Sequence, residues 1–121
     1  DNDQNISTIS PIAERVWVAE HEHDDEVGSF AIEREGDVDP EKLNRWLSRL
    51  LSEKGVDIFR TKGFISYAGE SKRIVFQGVH MLFTAQPDKE WGNEPRRNQL
   101  VFIGRNLDEA EMIKEFDKCL V

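Results

Sequence analysis

The sequence predicts a two-layer α+β domain, a mostly antiparallel sheet with two helices on one face, in the order β-α-β-β-β-α. Three observations carry this. Leu43, Trp46, Leu47, Leu50 and Leu51 recur at i, i+3, i+4, i+7 and i+8, the apolar stripe of a helix laid on a core. Met112, Ile113, Phe116, Cys119 and Leu120 make a second stripe near the end of the chain. The rest of residues 27–104 is mostly runs of β-branched and aromatic residues, separated by short turn signals.

Residues 1–13 are small and polar and read as a flexible lead-in. Val16, Trp17 and Val18 suit a short strand or a partner-docking segment. Residues 20–26, EHEHDDE, cannot pack a core and read as exposed loop. The division expected is therefore an acidic linker over 1–26 and a folded domain over 27–121. Val27–Glu35 alternates, with Phe30 and Ile32 on one side and Ser29 and Ala31 on the other, so it is a half-buried strand. Gly36-Asp37 breaks it. Asp39 then caps a helix with Pro40 at its first position, where a missing N–H costs nothing. Gly55 is expected to end this helix in the left-handed conformation.

Residues 57–68 read as the second strand, with Gly63 as a bulge. Residues 72–86 read as one long strand bent at Gly78, in preference to a hairpin at Gln77-Gly78. Residues 87–97, with two Pro and one Gly, read as loop. Asn98–Gly104 holds four apolar residues in a row and reads as the central strand. Asn106 or Asp108 caps the last helix, with Glu109 or Glu111 as the matching capping-box acid.

The chain has 121 residues and a net charge of −8, one domain's worth of soluble sequence. The acidity belongs to the front. Residues 1–40 hold twelve acids against Arg15 and Arg34, whereas residues 41–121 hold twelve acids against fourteen bases. An acidic chain repels phosphate, so nucleic acid is not the expected partner. Arg96, Arg97 and Arg105 are read as not clustering with exposed aromatics. No apolar run is long enough to cross a membrane, and no secretory signal is visible. One cysteine allows no internal disulfide and no multi-cysteine zinc site. The chain does not begin with Met, so it is expected to be a fragment, a processed form or an excised piece.

The sequence contains no phosphate-binding P-loop, no G-x-G-x-x-G and no H-E-x-x-H. No nucleophile, base and orienting group occur together, so no catalytic residue is assigned and an enzyme acting alone is not expected. Cys119, on an apolar helix stripe, reads as a small buried hydrophobe. The concentrated feature is His21-Glu22-His23-Asp24-Asp25-Glu26. Imidazoles two residues apart, with carboxylates beside them, supply the nitrogen and oxygen ligands that zinc or cobalt accepts. His21, His23 and Asp24 are the candidate ligands of a weak, exchangeable metal site, set against the alternative of an acidic linker. His80, on a strand, reads as hydrogen-bonded structure rather than as a ligand. Trp91, in the Pro-rich loop, either anchors a partner or folds back over its own core.

Several blocks together resemble a known family: Val27-Gly28-Ser29-Phe30, Asp39-Pro40-Glu41, Lys62-Gly63-Phe64, Val75-Phe76-Gln77-Gly78-Val79-His80-Met81, Trp91-Gly92, Arg97, and Leu100-Val101-Phe102-Ile103-Gly104-Arg105-Asn106-Leu107-Asp108. Over residues 20–121 the chain is similar to the C-terminal domain of CobW-type GTPases, which include zinc-regulated metalloprotein activators. The resemblance implies a parent with an N-terminal P-loop GTPase domain, which would hold GTP and Mg²⁺, and a metal-binding C-x-C-C motif. It implies GTP-dependent delivery of zinc or cobalt to client metalloproteins. The part seen here would be an accessory domain that binds the client or its own GTPase domain, with His80, Trp91, Arg97 and Arg105 as the expected partner-binding residues. The expected setting is the cytoplasm or an organellar stroma. The alternative is a stand-alone interaction module of the same fold that binds no metal.

Overall fold

The computed structural model describes residues 27–79 and 81–121. Five strands form one sheet: β1 Val27–Glu35, β2 Ile58–Ile65, β3 Lys72–Val79, β4 Leu82–Glu90 and β5 Arg97–Arg105. Two helices, α1 Pro40–Lys54 and α2 Glu109–Asp117, complete the fold. The spatial order is β1-β5-β2-β3-β4, and every pairing is antiparallel. The α+β class and the central place of residues 98–104 agree with expectation. β5 lies between β1 and β2, so those two strands run parallel without touching, and α1 forms the crossover between them.

Both helices take their predicted starts. The Asp39 carboxylate accepts hydrogen bonds from the backbone N–H of Glu41 at 2.9 Å and of Lys42 at 3.2 Å, with Pro40 opening α1. Asp108, not Asn106, caps α2 by accepting from Glu111 N–H at 3.1 Å. The α1 stripe buries Leu43, Trp46, Leu47 and Leu50 against Ile32, Ile58, Leu100 and Phe102, with Met112 and Phe116 of α2 closing the core. Trp46 meets Phe102 and Phe116 edge-on, at centroid distances of 6.5 and 6.3 Å. Each such fully buried side chain contributes about 1.5–3 kcal/mol through loss of apolar surface from water. Cys119 is buried as expected, and burial pushes its thiol pKa up, away from the thiolate a reactive or metal-binding cysteine needs.

Five expectations are corrected. Residues 72–86 are not one bent strand. β3 and β4 form a hairpin in which Val79 pairs with Leu82, and five strands stand where four were expected. Gly78 is no bend: it pairs with Phe83, and a Cβ there would lie 2.6 Å from that ring. Residues 87–90 are strand rather than loop. Pro87 is tolerated because β4 is an edge strand, and the register shifts between its pairing and that of Glu90. The second strand is shorter than 57–68, and its bulge lies between Ile58 and Arg60; Gly63 stays in register with Phe76 and Leu100. Gly55 is right-handed, and the chain runs on into a 3₁₀ turn over Gly55–Asp57.

A buried polar knot ties the loops at one end of the sheet. The Asn98 side chain donates to the carbonyls of Arg34 and Gly36, and its oxygen accepts from Ser66 N–H at 2.7 Å. The Ser66 hydroxyl donates to Asp37 at 2.7 Å, and Arg96 donates to Ser66, Tyr67 and Glu70. Every group there has a partner, which is the condition for a buried polar network to rigidify rather than destabilise.

Candidate functional site

The helices cover one face of the sheet. Alternation and register fix what the other face carries. On β5 the core side takes Asn98, Leu100 and Phe102, so Arg97, Gln99, Val101, Ile103 and Arg105 lie on the open side. Register then adds Ser29 and Ala31 from β1, Arg60, Lys62 and Phe64 from β2, and Val75, Gln77 and Val79 from β3.

This face joins cations to aromatic rings. The guanidinium groups of Arg73 and Arg97 each sit 5.0 Å from the centroid of Phe64, one from either neighbouring strand. Arg105 lies 5.5 Å from the Phe59 ring and 3.4 Å from the Asp57 carboxylate. Such contacts hold a long side chain in place without hiding its charge. The rings these arginines meet, Phe64 and Phe59 and, for Arg96, Trp91, are half-buried or buried rather than exposed. Strand pairing brings together residues that are far apart in sequence. Arg73 is also ion-paired with Asp88 on β4.

Trp91 folds back. It is 5% exposed, its ring meets Phe64 edge-on at 6.3 Å, and Arg96 lies over it at 6.0 Å. Its backbone N–H donates to Ser71 O, which holds the 91–96 loop against the start of β3. Its indole Nε1 is buried with no partner among the described residues. Trp91 therefore supports the open face and does not protrude as an anchor. Arg97 is exposed and Arg105 half-exposed, at the two ends of β5. Ile103, between them, is 8% exposed and lies outside the helix-side core cluster.

The structure thus places Trp91, Arg97 and Arg105 on or beneath one face. His21, His23, Asp24 and His80 lie outside the described residues. Among the described residues no group of three or more His, Cys, Asp or Glu could hold a metal ion. No described helix is long and apolar enough to cross a membrane. Sequence reasoning missed Phe64, Arg73 and Arg60. The signal available was the alternation of 59–65 and 72–79, which puts Arg60, Lys62 and Phe64 on the face opposite Thr61 and Ile65.

Comparison with known proteins gives a consistent result. The model of the family described as the cobalamin synthesis protein CobW C-terminal domain matches residues 27–120. The zinc chaperone YjiA of Escherichia coli is 34% identical over 100 residues, covering 83% of this chain and 31% of that protein. The zinc chaperone CobW of Pseudomonas aeruginosa is 37% identical over 65 residues, covering 53% of this chain and 17% of that protein. The crystal structure of Zn(II)-bound YjiA GTPase from Escherichia coli superposes with a TM-score of 0.76 at 32% identity, over 87% of this chain and 32% of that one. The chain spans less than a third of the length of the curated relatives it matches.

Proposed function

The chain belongs to the cobalamin synthesis protein CobW C-terminal domain family, and from that premise we propose that it is the accessory domain of a GTP-dependent zinc chaperone. It docks the GTPase domain of the parent protein, or a client metalloprotein, through the open face of the sheet. The chemistry of metal transfer is not its own. The loop of His21, His23 and Asp24 presents zinc, or cobalt, transiently as cargo. GTP and Mg²⁺ belong to the GTPase domain, because this sequence holds no loop that could cradle a triphosphate. The domain is not itself an enzyme and works in the cytoplasm.

One observation carries the docking role. The face opposite the helices combines the half-buried Val101 and Phe64, over a buried Ile103, with arginines held over aromatic rings. Apolar area with aromatics and arginine is the composition enriched in protein interfaces. The names of the two relatives support the zinc role.

The test has two arms. Zn²⁺ titration by calorimetry at neutral pH should show micromolar binding by the native chain. That binding should be lost in a His21→Ala, His23→Ala double variant of unchanged thermal stability. Separately, Arg97→Glu with Arg105→Glu should weaken binding to the parent's GTPase domain at least tenfold while leaving zinc binding intact. Zinc binding unchanged by the double alanine removes the loop from metal handling. Unchanged domain affinity removes the open face from docking.

A further inference from the structure

The positive charge on the open face is uneven along the strands. At the end where β1 finishes, Glu35 is paired in register with Arg97, Glu33 lies beside Gln99, and Asp88 neutralises Arg73. At the end where β1 begins, Arg105 stands opposite Val27, while Arg60 and Lys62 follow on β2 opposite Ile103 and Val101. Arg60 and Lys62 are exposed and have no ion-pair partner among the described residues. Ile103 lies between the cations, and Val79, 55% exposed, pairs with Arg60 on the far side. Arg105 is ion-paired with Asp57 at 3.4 Å, so this end of the face is basic and partly apolar, and the charges left uncompensated among the described residues are those of Arg60 and Lys62.

The segment that leads into that same end is the most acidic in the chain. Residues 20–26 carry five acids and no Lys or Arg, and Glu26 directly precedes Val27. Seven extended residues reach roughly 25 Å. Arg60 is two strands from β1, about 10 Å across the sheet. Covalent attachment at this range gives an effective concentration on the order of millimolar, enough for several weak charge pairs to hold.

We propose that the β1-start end of the open face is a docking site for an acidic extended segment, and that its resident occupant is the chain's own residues 20–26. Carboxylates of the segment pair with Arg60, Lys62 and Arg105. A partner that takes this face must displace the segment, which frees His21 and His23. Only that last consequence rests on the function proposed above. The contact itself stands on charge and reach.

The test uses the full chain. A nitroxide is attached at Ala19→Cys, with Cys119 buried and unreactive, and amide signals are followed by NMR. At 20 mM salt the amides of Arg60, Lys62 and Arg105 should lose at least threefold in intensity, while those of Arg45 and Arg49 on α1 do not. At 0.5 M salt the loss should vanish, because exposed charges are then screened. It should vanish too when Glu22→Gln, Asp24→Asn, Asp25→Asn and Glu26→Gln are combined, and at Arg105 when Arg60→Glu and Lys62→Glu are combined. All of these positions are exposed on the sheet or precede it, so none threatens the core. No loss at low salt overturns the proposal, and so does a loss that survives neutralisation. Neither outcome depends on zinc or on a GTPase domain, so failure here leaves the docking and metal tests standing.

Discussion

Trp91 shows how one residue can be buried for its ring and not for its polar atom. Its indole packs on Phe64 and under Arg96, yet Nε1 has no partner among the described residues. A buried donor without an acceptor costs about 1–3 kcal/mol. Trp91→Phe removes that donor and keeps an aromatic ring, so it should change stability by less than about 1.5 kcal/mol. Trp91→Ala should cost about 3–5 kcal/mol as a large aromatic truncation. Urea unfolding of the two variants checks the contrast. Equal losses would mean that the N–H, and not the ring, holds the loop.

Among the elements, α1 is the part of the fold most legible in the sequence. Its cap, its Pro at the first position and its stripe agree with one another, and such agreement between levels is what makes a local reading secure. Leu47 is 6% exposed. Leu47→Ala should therefore cost about 2–5 kcal/mol, read from the midpoint of a denaturant curve. A loss below half a kcal/mol would put the stripe on the surface. The hairpin was harder to read, because its two strands form a continuous β-prone run and the turn carries none of the usual Asn-Gly or Asp-Gly chemistry. The close approach at Gly63 was invisible for another reason. A Cβ there would lie 1.8 Å from the Gln99 carbonyl oxygen, a contact between residues 36 positions apart that only the β2–β5 register creates. The open face was half legible. Arg97 and Arg105 stood out in the sequence, but their aromatic neighbours Phe64 and Phe59 reach them through strand order, which alternation alone does not supply.

For the whole molecule, protection from solvent should follow the strand order. β5 is paired on both sides and mostly buried, whereas β4 is an edge strand exposed along almost all its length. In hydrogen exchange the amides of Leu100 and Phe102 should be among the slowest. Those of the outer half of β4 should exchange orders of magnitude faster, through local opening rather than global unfolding. Uniform protection across the sheet would show that the domain opens only as a unit.

The position of β5 also has a consequence for how the chain is made. The strand that joins β1 to β2 is contributed by residues 97–105. As a ribosome releases the chain from its N-terminus, β1 emerges some sixty residues, and α1 some forty, before the strand that β1 must pair with. During that interval β1 has no sheet to join, and its apolar side is shielded only by α1. Sheets closed by such distant pairings fold slowly for their size. The nascent chain therefore exposes an unpaired strand until nearly all of the domain has left the tunnel, and that is the window in which a holding chaperone would act on it.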